Sequence, residues 1–316
     1  MTALKGDTAR ASVTVVITTR DRPTLLRRAV ASATAQHDVD VEIIVVDDGS
    51  VEPVRSMRDG VQIIRNDSPR GLSGARNVGL RAADQDWITW LDDDDELLSG
   101  ALQRALATAA ANRAGQPGPV SVLSAIEVVD DDGRHQETRL PVTLAQGSPW
   151  LFTPSGGRSR VENTLVTPTA IARGIGGWDE SIPAFEMDDF FTRLTAASSI
   201  VGIDAAGYRM YVDPRRASLR RNWQLVAEGM WRTAKKHDAL FQRHRRQAAA
   251  YYAAIGWYFL KAGHWTRAIQ CEVRAVLWNP VRQAHWRRLA WALAGPHARD
   301  AAAALALRRR GRPAPA

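Results

Sequence analysis

Along the first hundred residues, short runs of apolar, β-branched residues alternate with stretches in which apolar residues recur every three or four positions. Val13-Thr-Val-Val-Ile-Thr-Thr19 has the length and composition of a buried strand, and Arg22-Pro23 opens a helical pattern through Leu25, Leu26, Ala29 and Val30. Val41 to Val46 predicts a second strand, ending in Asp47-Asp48-Gly49-Ser50, and Val61 to Ile64 a short third one. Asn66 to Gly74 reads as a loop, followed by a helix from Ala75 to near Asp84. Trp87-Ile-Thr-Trp-Leu91 is a fourth strand that runs straight into Asp92-Asp93-Asp94-Asp95-Glu96. Strands alternating with helices at this spacing predict an α/β fold, a Rossmann-like and mostly parallel sheet flanked by helices. Ligands then belong at the carboxyl ends of the strands.

Ala101 to Arg113 carries a further helical pattern, Gln116 to Pro119 breaks it, and Val120 to Val129 with the turn Asp130-Asp-Asp-Gly133 starts a hairpin. Residues 141–160, rich in Pro, Gly and Ser, predict a loop over the sheet, and Asp188 to Ala197 a helix. Beyond about Asn222 strands disappear and arginine accumulates among apolar residues at helical spacing. The organisation expected is therefore a tail at 1–10, an α/β domain at 11–221, an all-α basic region at 222–305 and a second tail at 306–316. Within the basic region, Ala250 to Pro280 has small residues spaced like those of one tetratricopeptide-type hairpin.

Charge sharpens this division. The net charge is +8, but the chain carries 20 basic and 28 acidic residues up to Ile200, and 22 and 6 after it. Only the second part invites a polyanion or an anionic membrane. A lone Cys271 cannot form an internal disulfide or a cysteine-type zinc site, which agrees with a reducing cytoplasm. The run Val13 to Thr19 is too short for a signal-peptide core, and Ala248 to Leu260 falls short of the ~20 residues that span a bilayer. A cytoplasmic protein, peripheral at the inner membrane face at most, is expected.

The chemistry lies at the acidic strand ends. Thr18, Asp48, Arg76 and Asp92 to Asp95 all fall at the edge where parallel strands finish. Carboxylates crowded there repel one another unless a cation or hydrogen-bond donors share the site. The turn Thr18-Thr-Arg-Asp-Arg-Pro23 has no glycine, so neither a dinucleotide fingerprint nor a P-loop is present. Phosphates would then be held through a divalent metal on a carboxylate.

Val13 to Thr19, Ile44-Val-Val-Asp-Asp-Gly-Ser50, Gly71-Leu-Ser-Gly-Ala-Arg-Asn-Val-Gly79, Trp90-Leu-Asp-Asp-Asp-Asp-Glu96 and Gly176-Gly-Trp-Asp-Glu180, in this order, resemble the GT-A glycosyltransferases of family 2 over about residues 11–215. The resemblance implies a metal-dependent, inverting transferase that moves a sugar from a nucleotide-diphosphate sugar, UDP favoured over GDP or dTDP, to a glycan or lipid-linked glycan acceptor. It places Thr18, Arg20, Asp48 and Arg76 at the nucleotide, Asp92 and Asp93 near the ribose, and Asp94 with Asp92 on Mn2+ or Mg2+. The base that takes the acceptor proton would come from Glu186, Asp188 and Asp189, with Asp188 the first choice. Counting back from Arg193, Met187 stands where the family often has its aspartate. The usual histidine near the domain end is missing from Tyr208 to Pro214, where Asp213 is a substitute. Trp150 and Trp178, each in a loop containing Gly or Pro, are candidates for stacking on a sugar.

Taken singly, each of these pieces has a plainer reading. Asp47 to Ser50 alone is turn chemistry, and Asp92 to Glu96 or Asp188-Asp189 alone are helix starts. Their common register favours the site. A catalytically inactive sugar-nucleotide-binding or glycan-binding protein of the same fold is the rival expectation. Lys235, Lys236, Arg243, Arg245 and Arg246, on a pattern with Leu225, Val226, Met230, Leu240 and Phe241, would form a basic amphipathic helix able to rest on an anionic membrane. Arg215, Arg216, Arg220 and Arg221 could reach a diphosphate or an acidic acceptor. No nucleic-acid partner is expected, since no aromatic and arginine stacking motif is present.

Overall fold

The computed structural model describes residues 11–113, 118–152, 161–212 and 222–295. Asp213, the four arginines between 215 and 221 and both expected tails lie outside them. The chain falls into two compact units, residues 1–181 with 186–216, and residues 182–185 with 217–316.

The first unit is built on one nine-stranded sheet. β1 (Ser12–Thr19), β2 (Asp40–Asp47), β3 (Val61–Arg65) and β4 (Trp87–Asp92) form its parallel part, in the order β3-β2-β1-β4. β1, β2 and β4 are apolar along most of their length because α1 (Pro23–Thr34) and α2 (Gly71–Ala82) cover the sheet, while β3, at its edge, is half-buried to exposed. Val13, Val15, Val16, Ile17, Ile44 and Val45 are fully buried. Helix α2 lies so close on β1 that a Cβ on Gly79 would stand 2.2 Å from a Val16 methyl. The register sets Thr18 beside Asp92 on one side and Val46 on the other, so the strand ends that carry Asp47, Asp48 and Asp92 share one edge.

Beyond β4 come β5 (Glu96–Leu97), α3 (Ala101–Arg113), β6 (Val120–Val129) and β7 (His135–Arg139). β8 (Val166–Pro168), α4 (Thr169–Gly174), α5 (Glu186–Ala197) and β9 (Ser199–Tyr211) complete the unit. β8 joins β4 to β6 in antiparallel fashion, and β9 runs parallel to β6 before pairing β5. The fold is mixed α/β, as expected. The length of β9 is not evident from its pattern, because its register against β6 slips at Ser124, Ala125 and Ile126 and interrupts the alternation of inward and outward positions.

Helix α2 begins earlier than its pattern predicts. Residues 71–74 form its first turn instead of the end of a loop. Arg70 and Gly71 donate their backbone N–H groups to the Asp48 carboxylate at 2.8 and 2.9 Å. A side chain from the end of β2 thus caps the helix, a partnership between residues 22 and 23 positions apart that no local pattern shows.

The second unit is helical among its described residues: α6 (Trp223–Lys236), α7 (Asp238–Arg243), α8 (Arg245–Lys261), α9 (Trp265–Trp278) and α10 (Gln283–Leu293). Asn222 caps α6 through the Leu225 N–H. The apolar face of α6 is consumed by the unit itself, with Val226, Ala227, Met230 and Ala234 buried, and Phe241 of α7 is buried against Tyr251 and Tyr252. The residues of the expected basic amphipathic helix are divided among α6, α7 and α8, with Val226, Met230 and Phe241 buried and Leu225 and Leu240 half-buried. Lys235 and Lys236 end α6, where cations complement the helix dipole.

Candidate active site

At the carboxyl edge of β4, Asp92, Asp94 and Asp95 each offer a carboxylate oxygen, and the three oxygens lie within 4.8 Å of one another. Backbone geometry selects this trio. Asp95 N–H donates to the Asp92 carbonyl in a tight turn, which brings the side chains of residues 92, 94 and 95 together. Asp93 leaves the group and turns toward α1. Its oxygens accept from the Thr19 hydroxyl at 2.7 Å and from Arg22 at 3.1 Å. Burial pushes the Asp93 carboxyl up to about 6 against those two donors.

Asp95 is enclosed and has its pKa raised well above the usual carboxylate range, first by burial and then by the charges of Asp92 and Asp94. It accepts the Tyr211 N–H at 3.0 Å, and Tyr208, fully buried on β9, hydrogen-bonds to it. Three hard oxygen ligands in mutual repulsion are a donor set that fits a divalent cation such as Mg2+ or Mn2+.

Asp92 is held from both sides. Arg76 on α2 donates to its Oδ1 at 3.1 Å, and Asn163, in a short 3-10 turn (Glu162–Thr164), donates to its Oδ2 at 2.9 Å. The buried Arg76 also donates to Glu186 Oε1 at 2.8 Å and lies 4.6 Å over the Trp178 ring. One guanidinium thus ties the β4 end to the start of α5. Arg76, Trp90, Asn163, Leu165, Trp178 and Met187 line a hollow beside the acidic cluster.

Asp47, at the end of β2, is structural. Its burial would raise its pKa, but hydrogen bonds from Ser50, Val54 and Arg65 hold it below the ordinary value. Asp48 is buried as well. Besides capping α2 it accepts from Asn66 at 2.8 Å. Thr18 is half-buried in register with Asp92, and Arg20 is exposed and pairs with Asp21 at 3.6 Å.

Of the three acidic residues on α5, Glu186 meets Arg76. Asp188 and Asp189 are fully buried, and Asp189 is clamped by Arg193 one turn on. It is Met187 that faces the hollow.

Residues 14–163 match the family model described as glycosyl transferase family 2. That match takes in just under half of the chain. The chain is 36% identical over 105 residues to a GalNAc(5)-diNAcBac-PP-undecaprenol beta-1,3-glucosyltransferase of Campylobacter jejuni, covering 31% of this chain and 34% of that protein. It is 37% identical over 154 residues to the succinoglycan biosynthesis protein ExoO of Rhizobium meliloti, covering 47% of this chain and 42% of that one. The matches therefore span well under half the length of these two relatives. Among solved structures, S. aureus TarS residues 1–349 in complex with UDP-GlcNAc aligns with a TM-score of 0.61 at 16% identity, covering 86% of this chain and 82% of that one. The shared feature there is the fold.

The tertiary structure adds three residues to this candidate site. Asp95, Asn163 and Tyr208 hold or extend the acidic cluster, and each lacks a local signal, since the first reads as the end of an acidic run and the others lie 71 and 116 positions from Asp92. Two expected sugar-stacking residues are corrected. Trp150 is buried and stacks on Phe191 at 4.3 Å, and Trp178 is buried between Phe190 at 4.1 Å and the Arg76 guanidinium. Gly177, at φ +66° and 2.6 Å from Asn77 Oδ1 if given a Cβ, allows the Trp178 N–H to reach that oxygen at 2.8 Å. Both indoles are core packing with their faces already covered.

Proposed function

We propose that this chain is an inverting glycosyltransferase that moves a sugar from a nucleotide-diphosphate sugar to a hydroxyl of a glycan or lipid-linked glycan. The observation that carries the reading is the convergence of Asp92, Asp94 and Asp95 beside Arg76, at the strand edge where an α/β sheet takes its ligand. These three carboxylates would hold Mn2+ or Mg2+. When bound, the ion supplies Lewis-acid stabilisation of a leaving diphosphate. Thr18, Arg20 and Asp48 would contact the nucleotide. Arg76 orients Asp92 through one carboxylate oxygen, while Asn163 fixes the second.

A UDP donor is favoured, in keeping with the UDP-GlcNAc complex of the TarS fold relative. The polyprenyl-linked and succinoglycan names of the two sequence relatives support a glycan acceptor. Peripheral contact with an anionic membrane would bring the chain to an acceptor carried on lipid.

For the base, Glu186 replaces Asp188 as the first choice. All three acidic residues of α5 are buried, but Asp188 and Asp189 have no exposure at all, whereas Glu186 retains 8% and pairs with Arg76, a residue that lines the hollow and also holds Asp92. It would accept the acceptor hydroxyl proton as the hydroxyl oxygen attacks the anomeric carbon and the diphosphate leaves.

Incubation with UDP-, GDP- and dTDP-sugars, with and without Mn2+, tests the reading. Metal-dependent sugar transfer, or slow donor hydrolysis, is expected with a UDP-sugar, and Glu186→Gln should lower kcat at least a hundredfold while retaining donor binding. Full activity of Asp94→Ala would overturn the metal assignment. A second reading, a sugar-nucleotide-binding protein without transfer, is favoured by Met187 facing the hollow. Donor binding with no turnover on any acceptor would select it.

A further inference from the structure

Trp223 on α6 and Trp257 on α8 are partly exposed, but the most exposed apolar side chains described in the helical unit gather on its last two helices and the turn between them. Leu277 is 72% exposed on the outer face of α9, with the exposed Val273 one turn before it, and Val281 in the following turn is 81% exposed. On α10, Trp286 and Leu293 are two turns apart on one flank and are 51% and 63% exposed. The Trp286 indole N–H donates to the Pro280 carbonyl at 2.8 Å, which closes the ring on the turn flanked by Leu277 and Val281. Helix α10 buries only His285 and Ala292, so this flank has no cover among the described residues.

Charge identifies the partner. Residues 222–295 contain 12 Lys and Arg against 3 Asp and Glu. Among the three acids, Glu272 is buried and Glu228 is paired with Arg267. Arg282 and Arg287 are exposed beside the apolar residues. A nucleic acid would meet the cations but has no use for Leu277, Val281 and Leu293. A second copy would bring an equally basic surface against this one. An anionic bilayer accepts all three features at once: aliphatic side chains enter the boundary below the headgroups, indoles settle at that boundary, and guanidinium groups pair with lipid phosphates.

We propose that the α9–α10 face is a docking surface for an anionic lipid bilayer. It rests on the peripheral-membrane part of the proposed function and gives that contact a place, on α9 and α10 instead of residues 225–246, which the sequence pattern suggested. No described helix is long and apolar enough to cross a membrane, so the contact is interfacial.

Co-sedimentation of the full chain with phosphatidylcholine vesicles containing 30% or no phosphatidylglycerol tests it, without donor or acceptor present. Binding to the anionic vesicles at low salt is expected, at least tenfold weaker in 0.5 M salt and on neutral vesicles, together with a blue shift of tryptophan emission. The Leu277→Glu/Leu293→Glu variant alters exposed positions only and should lose binding at least tenfold. Arg282→Glu/Arg287→Glu should do the same, while both keep the wild-type circular dichroism spectrum and Tm. The proposal is overturned if wild type ignores anionic vesicles, if both variants bind as wild type does, or if single-stranded nucleic acid binds with the same variants unaffected. It is equally overturned if sedimentation velocity shows a wild-type dimer that the apolar variant dissociates, with vesicle binding unchanged. Because no sugar chemistry is read, a failed transfer assay and a failed docking surface remain separate results.

Discussion

The Asp48 carboxylate accepts the Gly71 N–H at 2.9 Å and thereby lets the end of one strand start the helix that carries Arg76. A candidate nucleotide-binding residue is also the cap of the element that organises the acidic cluster. Asp48→Ala should remove three hydrogen bonds to a charged group and lower stability by about 2–3 kcal/mol, read from urea unfolding. Asp48→Asn, which keeps one acceptor, should lose less.

Arg76 joins Asp92 and Glu186 in a buried network. Arg76→Met leaves two carboxylates facing each other with their common cation gone, at a cost of about 3–5 kcal/mol. Adding Glu186→Gln should recover part of the loss. A double mutant no more stable than Arg76→Met would show that the guanidinium acts through Trp178 packing instead.

The acidic trio should respond to metal. Mn2+ at a hundredfold excess over its Kd should stabilise the wild type by about 2.7 kcal/mol, and Asp94→Asn should abolish the Tm shift. Asn163→Ala should keep a smaller shift, since it removes only one support of Asp92. Equal shifts in wild type and Asp94→Asn would place the ion elsewhere.

Glu272 in α9 is buried with no hydrogen-bond partner for either oxygen among the described residues. Burial lifts its carboxyl from 4.5 to about 7, against the lowering effect of Arg288. The folded state therefore holds a proton that the unfolded state releases near pH 4.5, so stability falls as pH rises from about 4.5 to 7 and is flat above that for this group. Glu272→Gln should flatten this slope and gain up to about 3 kcal/mol relative to wild type at pH 8, measured by denaturation at several pH values. A difference between the two proteins that does not vary with pH would remove the linkage.

Gly79 packs against Val16 with no space for a methyl group. Gly79→Ala should cost about 1–3 kcal/mol by forcing α2 off the sheet. Loss of Mn2+ response in the same variant would tie that spacing to the Arg76 position.

Much of the parallel half was legible in the chain. β1, β2 and β4 declare themselves because a strand covered on both faces is apolar along most of its length, and Pro23 marks the first turn of α1. The acidic ends of β2 and β4 were visible for the same reason, as carboxylates abutting apolar runs. The course of β9 was hidden by its register slips against β6, and the first turn of α2 by its dependence on Asp48. Trp150 and Trp178 look like loop residues by their neighbours, and only the approach of Phe191, Phe190 and Arg76 makes them core.

By itself, the sequence determined the α/β class, the edge at which chemistry collects and the contrast between an acidic and a basic part, because strand burial, strand-end carboxylates and composition are local properties. Tertiary structure alone decided which carboxylates act together. Asp93 turns to Thr19 and Arg22 while Asp95 joins Asp92 and Asp94, and Met187 faces the hollow while Asp188 is sealed away. Neighbours in a turn or on a helix point in different directions, and their partners come from elements tens of residues distant. The destination of each side chain is therefore set by packing, which the order of residues leaves open.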